Sequence, residues 1–225
     1  MTATFSHVDV YFSYRSPYSY LAIPRLSEWV REHEVDIIIR PVLPQAVINP
    51  KFFTEANPLM VPYSRNDMKR VAEFYEIPFV WPNPDPVVME FDPVHIPLEQ
   101  PYIHRLTRLG IEAGRKGRSL EYTREVATLI WSGSVENWTD ANHLSEAVER
   151  AGLDLAAMDH AIEDNPNLYI KAIDENHAER TKVGHWGAPI IVIDGEPFFG
   201  QDRIELAKWR HAKNRFTPNS GHPGR

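Results

Sequence analysis

The sequence predicts an α/β fold in which a small sheet-bearing domain is split by a long helical insertion. Three observations carry this reading. The first forty residues follow a strand–helix–strand pattern, residues 102–181 hold one helical pattern after another, and β character returns only at 188–199, ahead of a closing helix. At 225 residues, 43% hydrophobic and 24% charged, the chain has enough apolar surface for a sizeable core.

The elements follow in order. Residues 8–12 are rich in β-formers and end in a polar turn, which predicts a strand. Ser16-Pro17 places a capping hydroxyl directly before a proline, the N-cap/N1 pair that starts helices. The helix should run over 17–32 with Leu21, Leu26, Trp29 and Val30 on one stripe and a kink at Pro24. Residues 35–42 form a second strand, where Ile37-Ile38-Ile39 predicts burial on both faces. From 41 to 101 the chain is rich in Pro and Asn, with one helix near 66–75, and the alternating prolines of 81–86 predict an extended, exposed loop. Helices follow at 102–116 (weakened toward its end by Gly110, Gly114 and Gly117), 120–131, 140–151, 155–163 and 167–181. Residues 188–193 and 197–199 form a hairpin around Asp194-Gly195, Gly200 ends it, and Asp202 caps a helix reaching residue 214. The tail, 217–225, is expected to fray. With the insert removed, this is the element order of a thioredoxin fold: a discontinuous domain of residues 1–45 and 183–225, with the insertion at 46–182.

Composition narrows the function. The net charge of −7 argues against a nucleic-acid or anionic-membrane surface as partner. The N-terminus has neither a basic nor an apolar leader region, and no stretch reaches the ~18 apolar residues of a membrane span, so a cytoplasmic location is expected. Asn137-Trp138-Thr139 is then a chance glycosylation pattern. With no cysteine, the chain has no disulfide framework, thiolate metal site, iron–sulfur cluster or thiol redox cycle of its own. Phosphate-loop, dinucleotide, nucleophile-elbow and zincin motifs are missing; Trp131-Ser132-Gly133-Ser134 lacks an elbow's first glycine and its strand. The pairs His7/Asp9 and Asp92/His95 do not make a metal site, because catalytic metals need three convergent ligands.

Three short segments carry the chemistry. Ser16-Pro17-Tyr18-Ser19 stands between first strand and first helix, where thioredoxin-like proteins have C-x-x-C and a helix N-terminus stabilises a thiolate. Here both sulfurs are hydroxyls, so an anionic sulfur at this place has to come from a bound thiol. The simpler alternative is that Ser16 is only an N-cap, worth ~1 kcal/mol. Gly187-Ala188-Pro189 opens the third strand, where thioredoxin folds set a cis-proline facing that helix start; an ordinary trans proline leading a strand is the alternative. Asp202, at the start of the last helix, is either a cap or part of a grip on an amino-acid head group.

Taken together, Y-F-S-Y-R-S-P-Y-S-Y-L-A, G-H-W-G-A-P-I-I-V-I-D-G and F-F-G-Q-D-R-I-E-L, with R-P-V-L-P and the Asn57–Pro62 segment between them, resemble the 2-hydroxychromene-2-carboxylate isomerase and kappa-class glutathione transferase family. The resemblance implies a DsbA-like thioredoxin fold with a large helical insertion, glutathione as cofactor and a homodimer. It places Ser16 at the glutathione sulfur, Ala188 (ahead of cis-Pro189) against the cysteinyl backbone, Gln201 and Asp202 on the γ-glutamyl end, and Asn57 near the active site. Arg65 is the nearest basic residue to the one relatives carry, although the loop length differs. Ser13, Tyr14 and Arg15 depart from the pattern, which has an acidic residue followed by small or apolar ones. The expected activity is isomerisation of an aromatic or conjugated carbonyl compound by reversible thiolate addition, with Tyr14, Tyr18, Phe52 and Trp81 as candidate aromatic walls. The alternatives are a kappa-like transferase or peroxidase, and a thioredoxin-fold binding module without chemistry. A hydrolase using Ser16 as nucleophile lacks a His/Asp partner.

Overall fold

A computed structural model describes residues 7–49, 51–91 and 94–216. Its first unit is β1 (Val8–Phe12), α1 (Pro17–Glu32) and β2 (Ile37–Pro41). β1 and β2 run parallel, with Val8 opposite Ile37 and Phe12 opposite Pro41, so the connection between them is the α1 crossover. β2 is an edge strand, which is why it tolerates ending on a proline. The closing unit is β5 (Ile190–Ile193), β6 (Glu196–Phe199), a 3₁₀ turn at Gln201–Arg203 and α10 (Ile204–Phe216). β5 lies antiparallel to β1, giving the sheet order β2-β1-β5-β6. Asp194 and Gly195 both have positive φ (50° and 83°), the two-residue turn whose twist matches its strands.

The insertion holds α2 (Gln45–Ile48), α3 (Phe52–Glu55), α4 (Met60–Phe74), α5 (Ile103–Arg115), α6 (Ser119–Trp131), α7 (His143–Arg150), α8 (Leu155–Asp164) and α9 (Pro166–Lys182). It is not wholly helical: β3 (Glu90–Phe91) and β4 (Val94–His95) form a two-strand ladder. α5, α6 and α9 pack against β2, and one continuous core joins Val10, Phe12, Leu21 and Ile39 to Leu106, Leu109, Val126 and Trp131.

Several expectations needed correction. Val30 is 36% exposed while Trp29 is buried, because neighbours on a helix point about 100° apart. Ile37 and Ile39 are buried and Ile38 only half-buried; burial on both faces belongs instead to the central strand β5. α4 starts at Met60, since Pro62 falls in the first turn, where no intrahelical N–H is needed. α7 starts late because Ala141 takes a positive φ of 47°. The 81–86 loop is partly buried, at Pro82 and Pro86, and Trp138 Nε1 donates to Pro84 O at 2.7 Å. Asp202 is not a cap: Gly200, with φ 102°, stands at the N-cap of the 3₁₀ turn, and the Asp202 carboxylate is exposed beside Arg203. The tail at 217–225 and Asp92 lie outside the described residues.

Candidate active site

Ser16 holds the N-cap of α1 in an extended conformation (φ −90°, ψ 113°), with Pro17 at the first helical position. Its Oγ accepts from Ser19 N–H at 3.2 Å and donates to Ala188 C=O at 3.3 Å. The second bond spans the chain, joining the helix start to the residue before Pro189. The Ala188–Pro189 peptide is cis. Pro189 C=O accepts from Gly200 N–H at 3.0 Å, which ties the segment leading into Gln201 to the same loop. Gly187 lies alongside Phe199, so closely that a Cβ there would strike the ring.

Of these residues, Ser16, Gly187, Ala188 and Phe199 stand on the wall of a cavity of about 540 Å³. Ser16, Ala188, Tyr18, Phe52, Trp81 and Arg65 all line it, whereas Tyr14 does not. Tyr14 is wholly buried, its hydroxyl 3.0 Å from Thr123 Oγ1 and its carbonyl accepting from Trp131 Nε1, so it is a core residue and no aromatic wall. Tyr18 donates to Asp67 at 2.7 Å, and burial pushes its phenol well above the ordinary value. Arg65 lies 5.9 Å from the Trp81 ring.

The outlying expected residues sit as follows. Gln201 is buried, and its Oε1 accepts from Arg25, whose guanidinium lies 4.0 Å over the Tyr75 ring. Asn57 is exposed; its Oδ1 accepts from Leu59 N–H at 2.9 Å, a turn that leads into α4. Neither these two nor Asp202 is among the residues lining the cavity. The structure therefore gathers Ser16, Ala188 and Pro189, with Gln201 one residue beyond the Gly200 bond.

Among the lining residues to which sequence reasoning gave no role, Arg15, Trp186 and Arg180 matter most. Arg15 makes a two-point pair with Asp85 (3.2 and 3.1 Å) and lies 5.3 Å from Trp81 and 5.6 Å from Phe53. Its position next to Ser16 was the available signal. Trp186 packs edge-on to Phe52 at 5.6 Å. Arg180 comes from α9, and no local pattern marks it. Among the described residues, no three His, Asp or Glu converge as metal ligands, and no helix is long and apolar enough to cross a membrane.

The family model for the DSBA-like thioredoxin domain matches residues 7–210. The chain belongs to that family. Within the DSBA-like thioredoxin family it is similar to 2-hydroxychromene-2-carboxylate isomerase of Pseudomonas putida, 25% identical over 88% of this chain and 90% of that one. The isomerase of Sphingobium xenophagum is 26% identical over 88% and 94%. Glutathione S-transferase kappa 1 of Rattus norvegicus is 24% identical over 88% of each. Among solved structures, a 2-hydroxychromene-2-carboxylate isomerase superposes with a TM-score of 0.66, at 21% identity over 92% of this chain and 94% of that one. A probable DsbA oxidoreductase from Streptomyces coelicolor has the same TM-score at 15% identity, over 97% and 93%. The thioredoxin fold with its helical insertion thus holds, and the isomerases and the glutathione transferase among these relatives bear the names of enzymes that act on small molecules. In this DSBA-like chain, Ser16 and Ser19 stand at the helix start where a redox member would use cysteines.

Proposed function

We propose that the protein is a glutathione-dependent isomerase of the 2-hydroxychromene-2-carboxylate isomerase type, acting on an aromatic or conjugated carbonyl compound. The observation that carries this reading is the 3.3 Å contact between Ser16 Oγ and Ala188 C=O, beside cis-Pro189, on the wall of an aromatic cavity. A chain without cysteine needs a thiol from outside, and the residues fit one. Ser13, also on the cavity wall and 2% exposed, has a hydroxyl with no partner. A hydroxyl so buried calls for a hydrogen-bond partner, which a bound ligand or an ordered water supplies.

Bound glutathione would supply a nucleophilic sulfur for reversible addition to the conjugated carbon, which makes the double bond rotatable without consuming the thiol. Ser16 swings its O–H from Ala188 C=O to that sulfur and holds it as the anion. The α1 N-terminus adds its dipole, and together they favour the thiolate by ~1–2 kcal/mol, about one pKa unit. No acidic side chain stands in the first turn of α1 to oppose this. Ala188 offers its backbone to the cysteinyl part, and the 200–202 segment, with Gln201 and Asp202, takes the γ-glutamyl end. Asn57, in the turn that leads into α4, belongs to the same reading. Tyr18, Phe52 and Trp81 enclose the flat substrate and exclude water.

The test is turnover of 2-hydroxychromene-2-carboxylate with and without glutathione. Activity undiminished in the absence of thiol sinks the reading. Consumption of thiol in step with product assigns the kappa-type transfer chemistry instead. The same reading carries a homodimer in the cytoplasm, checked by sedimentation and cell fractionation.

A further inference from the structure

Arg180 is the least satisfied ion on the cavity wall. It is 3% exposed, and its Nε has no partner. Nη1 reaches Gly187 C=O only at 3.4 Å. Nη2 lies 2.9 Å from His177 Nδ1, a hydrogen bond only in the tautomer that leaves Nδ1 bare. Leu43 N–H points at His177 Nε2 from the other side, at 3.1 Å. A neutral imidazole has one acceptor nitrogen, so it satisfies Leu43 or Arg180 but not both. His177 is neutral here, its pKa pushed down to about 4 by burial and by Arg180 itself. No carboxylate compensates the guanidinium among the described residues. A buried charge left in this state is strongly unfavourable until an anion meets it.

The other cavity cations differ. Arg15 is neutralised by Asp85, and Arg65 is 5.9 Å from Trp81 at the α4 wall. No Asp or Glu is among the lining residues. An acidic protein has thus built an apolar chamber whose one wholly buried cation lacks an anion.

We infer that Arg180 is the specificity-determining residue that receives a single carboxylate of the aromatic substrate. The inference rests on the proposed function only in treating this cavity as the substrate's. The carboxylate oxygens accept from Nε and the Nη groups, which frees the neutral imidazole to accept from Leu43 N–H at Nε2 and to donate from Nδ1 to the same anion. One guanidinium with one imidazole suits a singly charged carboxylate rather than a phosphate, which gathers several cations. Tyr18, Phe52 and Trp81 then hold the ring attached to it.

The probes are 2-naphthoate and its neutral isostere 2-naphthamide, titrated calorimetrically into the whole protein without any thiol, so that failure of the glutathione reading leaves the result intact. The expected outcome is at least tenfold tighter binding of the acid by the wild type. Arg180→Met should abolish that preference while still binding the amide, and Arg180→Lys should keep part of it. Equal affinity for acid and amide in the wild type overturns the inference, as does a tenfold preference that survives in Arg180→Met. The wild-type comparison stands even if the methionine variant fails to fold. Glutathione provides the last arm. Its stabilisation of the protein should be the same in wild type and Arg180→Met; its loss in the variant, with glutathione displacing naphthoate, assigns the anion to the thiol and overturns the substrate assignment.

Discussion

Replacing Ser16 by alanine removes one oxygen that has two structural tasks and, in the proposed function, one chemical task. The lost N-cap bond to Ser19 N–H costs about 1 kcal/mol. The lost bond to Ala188 C=O, long at 3.3 Å, costs about 0.5 kcal/mol more. For a chain of this size, a total of about 1.5 kcal/mol lowers the Tm by roughly 3–6 °C. The chemical task is read separately, by melting with and without glutathione. At a hundredfold excess over its Kd, glutathione stabilises the wild type by about 2.7 kcal/mol. A hydrogen bond to a charged group contributes roughly 1.5–3 kcal/mol, so losing the donor weakens Kd some tenfold to a hundredfold. At the same concentration the variant is then stabilised by about 1.4 kcal/mol or less. Ser16→Thr, which keeps the hydroxyl, should behave like the wild type in both readouts. If the alanine variant melts lower yet gains as much from glutathione as the wild type, Ser16 is a cap and nothing more, and the thiol assignment is wrong.

Gly110→Ala should destabilise the protein by up to about 2 kcal/mol, the roughly 1–3 of overpacking less about 1 gained in helix propensity. The new Cβ would land on Tyr14 Oη and within 2.9 Å of Pro41 Cγ. Adding Tyr14→Phe should recover part of the loss in a denaturant titration, and strict additivity would refute the contact. Asp85→Asn leaves Arg15 without its carboxylate and should cost about 1–3 kcal/mol in the same assay. His104, His177 and His185 all have pKa values held below the ordinary range, chiefly by burial. The unfolded chain therefore takes up their protons first as pH falls, and the stability they contribute is whole above about 6.5 and falls away below it, for His177 down to about pH 4. His177→Gln should flatten the Tm-against-pH curve across that window; an unchanged slope would show that this ring does not titrate as described.

Wherever the deciding interaction lies within a few residues, the sequence is enough. β1, α1 and the β5–β6 turn rest on β-formers, the Ser16-Pro17 cap and Asp194-Gly195, and they form where these signals stand. Ser16 and Ala188-Pro189 were legible for the same reason, since each is marked by its place beside a strand or helix end. Elsewhere, residue type was not enough. Tyr14 and Tyr18 read alike, yet one is sealed against Thr123 and the other faces the cavity. Gly110 reads as a weak point in α5, but its missing side chain is what admits the Tyr14 hydroxyl. Gln201 turns toward Arg25, 176 positions away, and Arg180 reaches the cavity from a helix whose own pattern gives no sign of it. Local backbone chemistry writes the elements and the two ends of the candidate site. The walls and the charge inside them depend on which helices of the insertion pack against β2, a choice made by burial across the whole chain and not by any neighbouring residue.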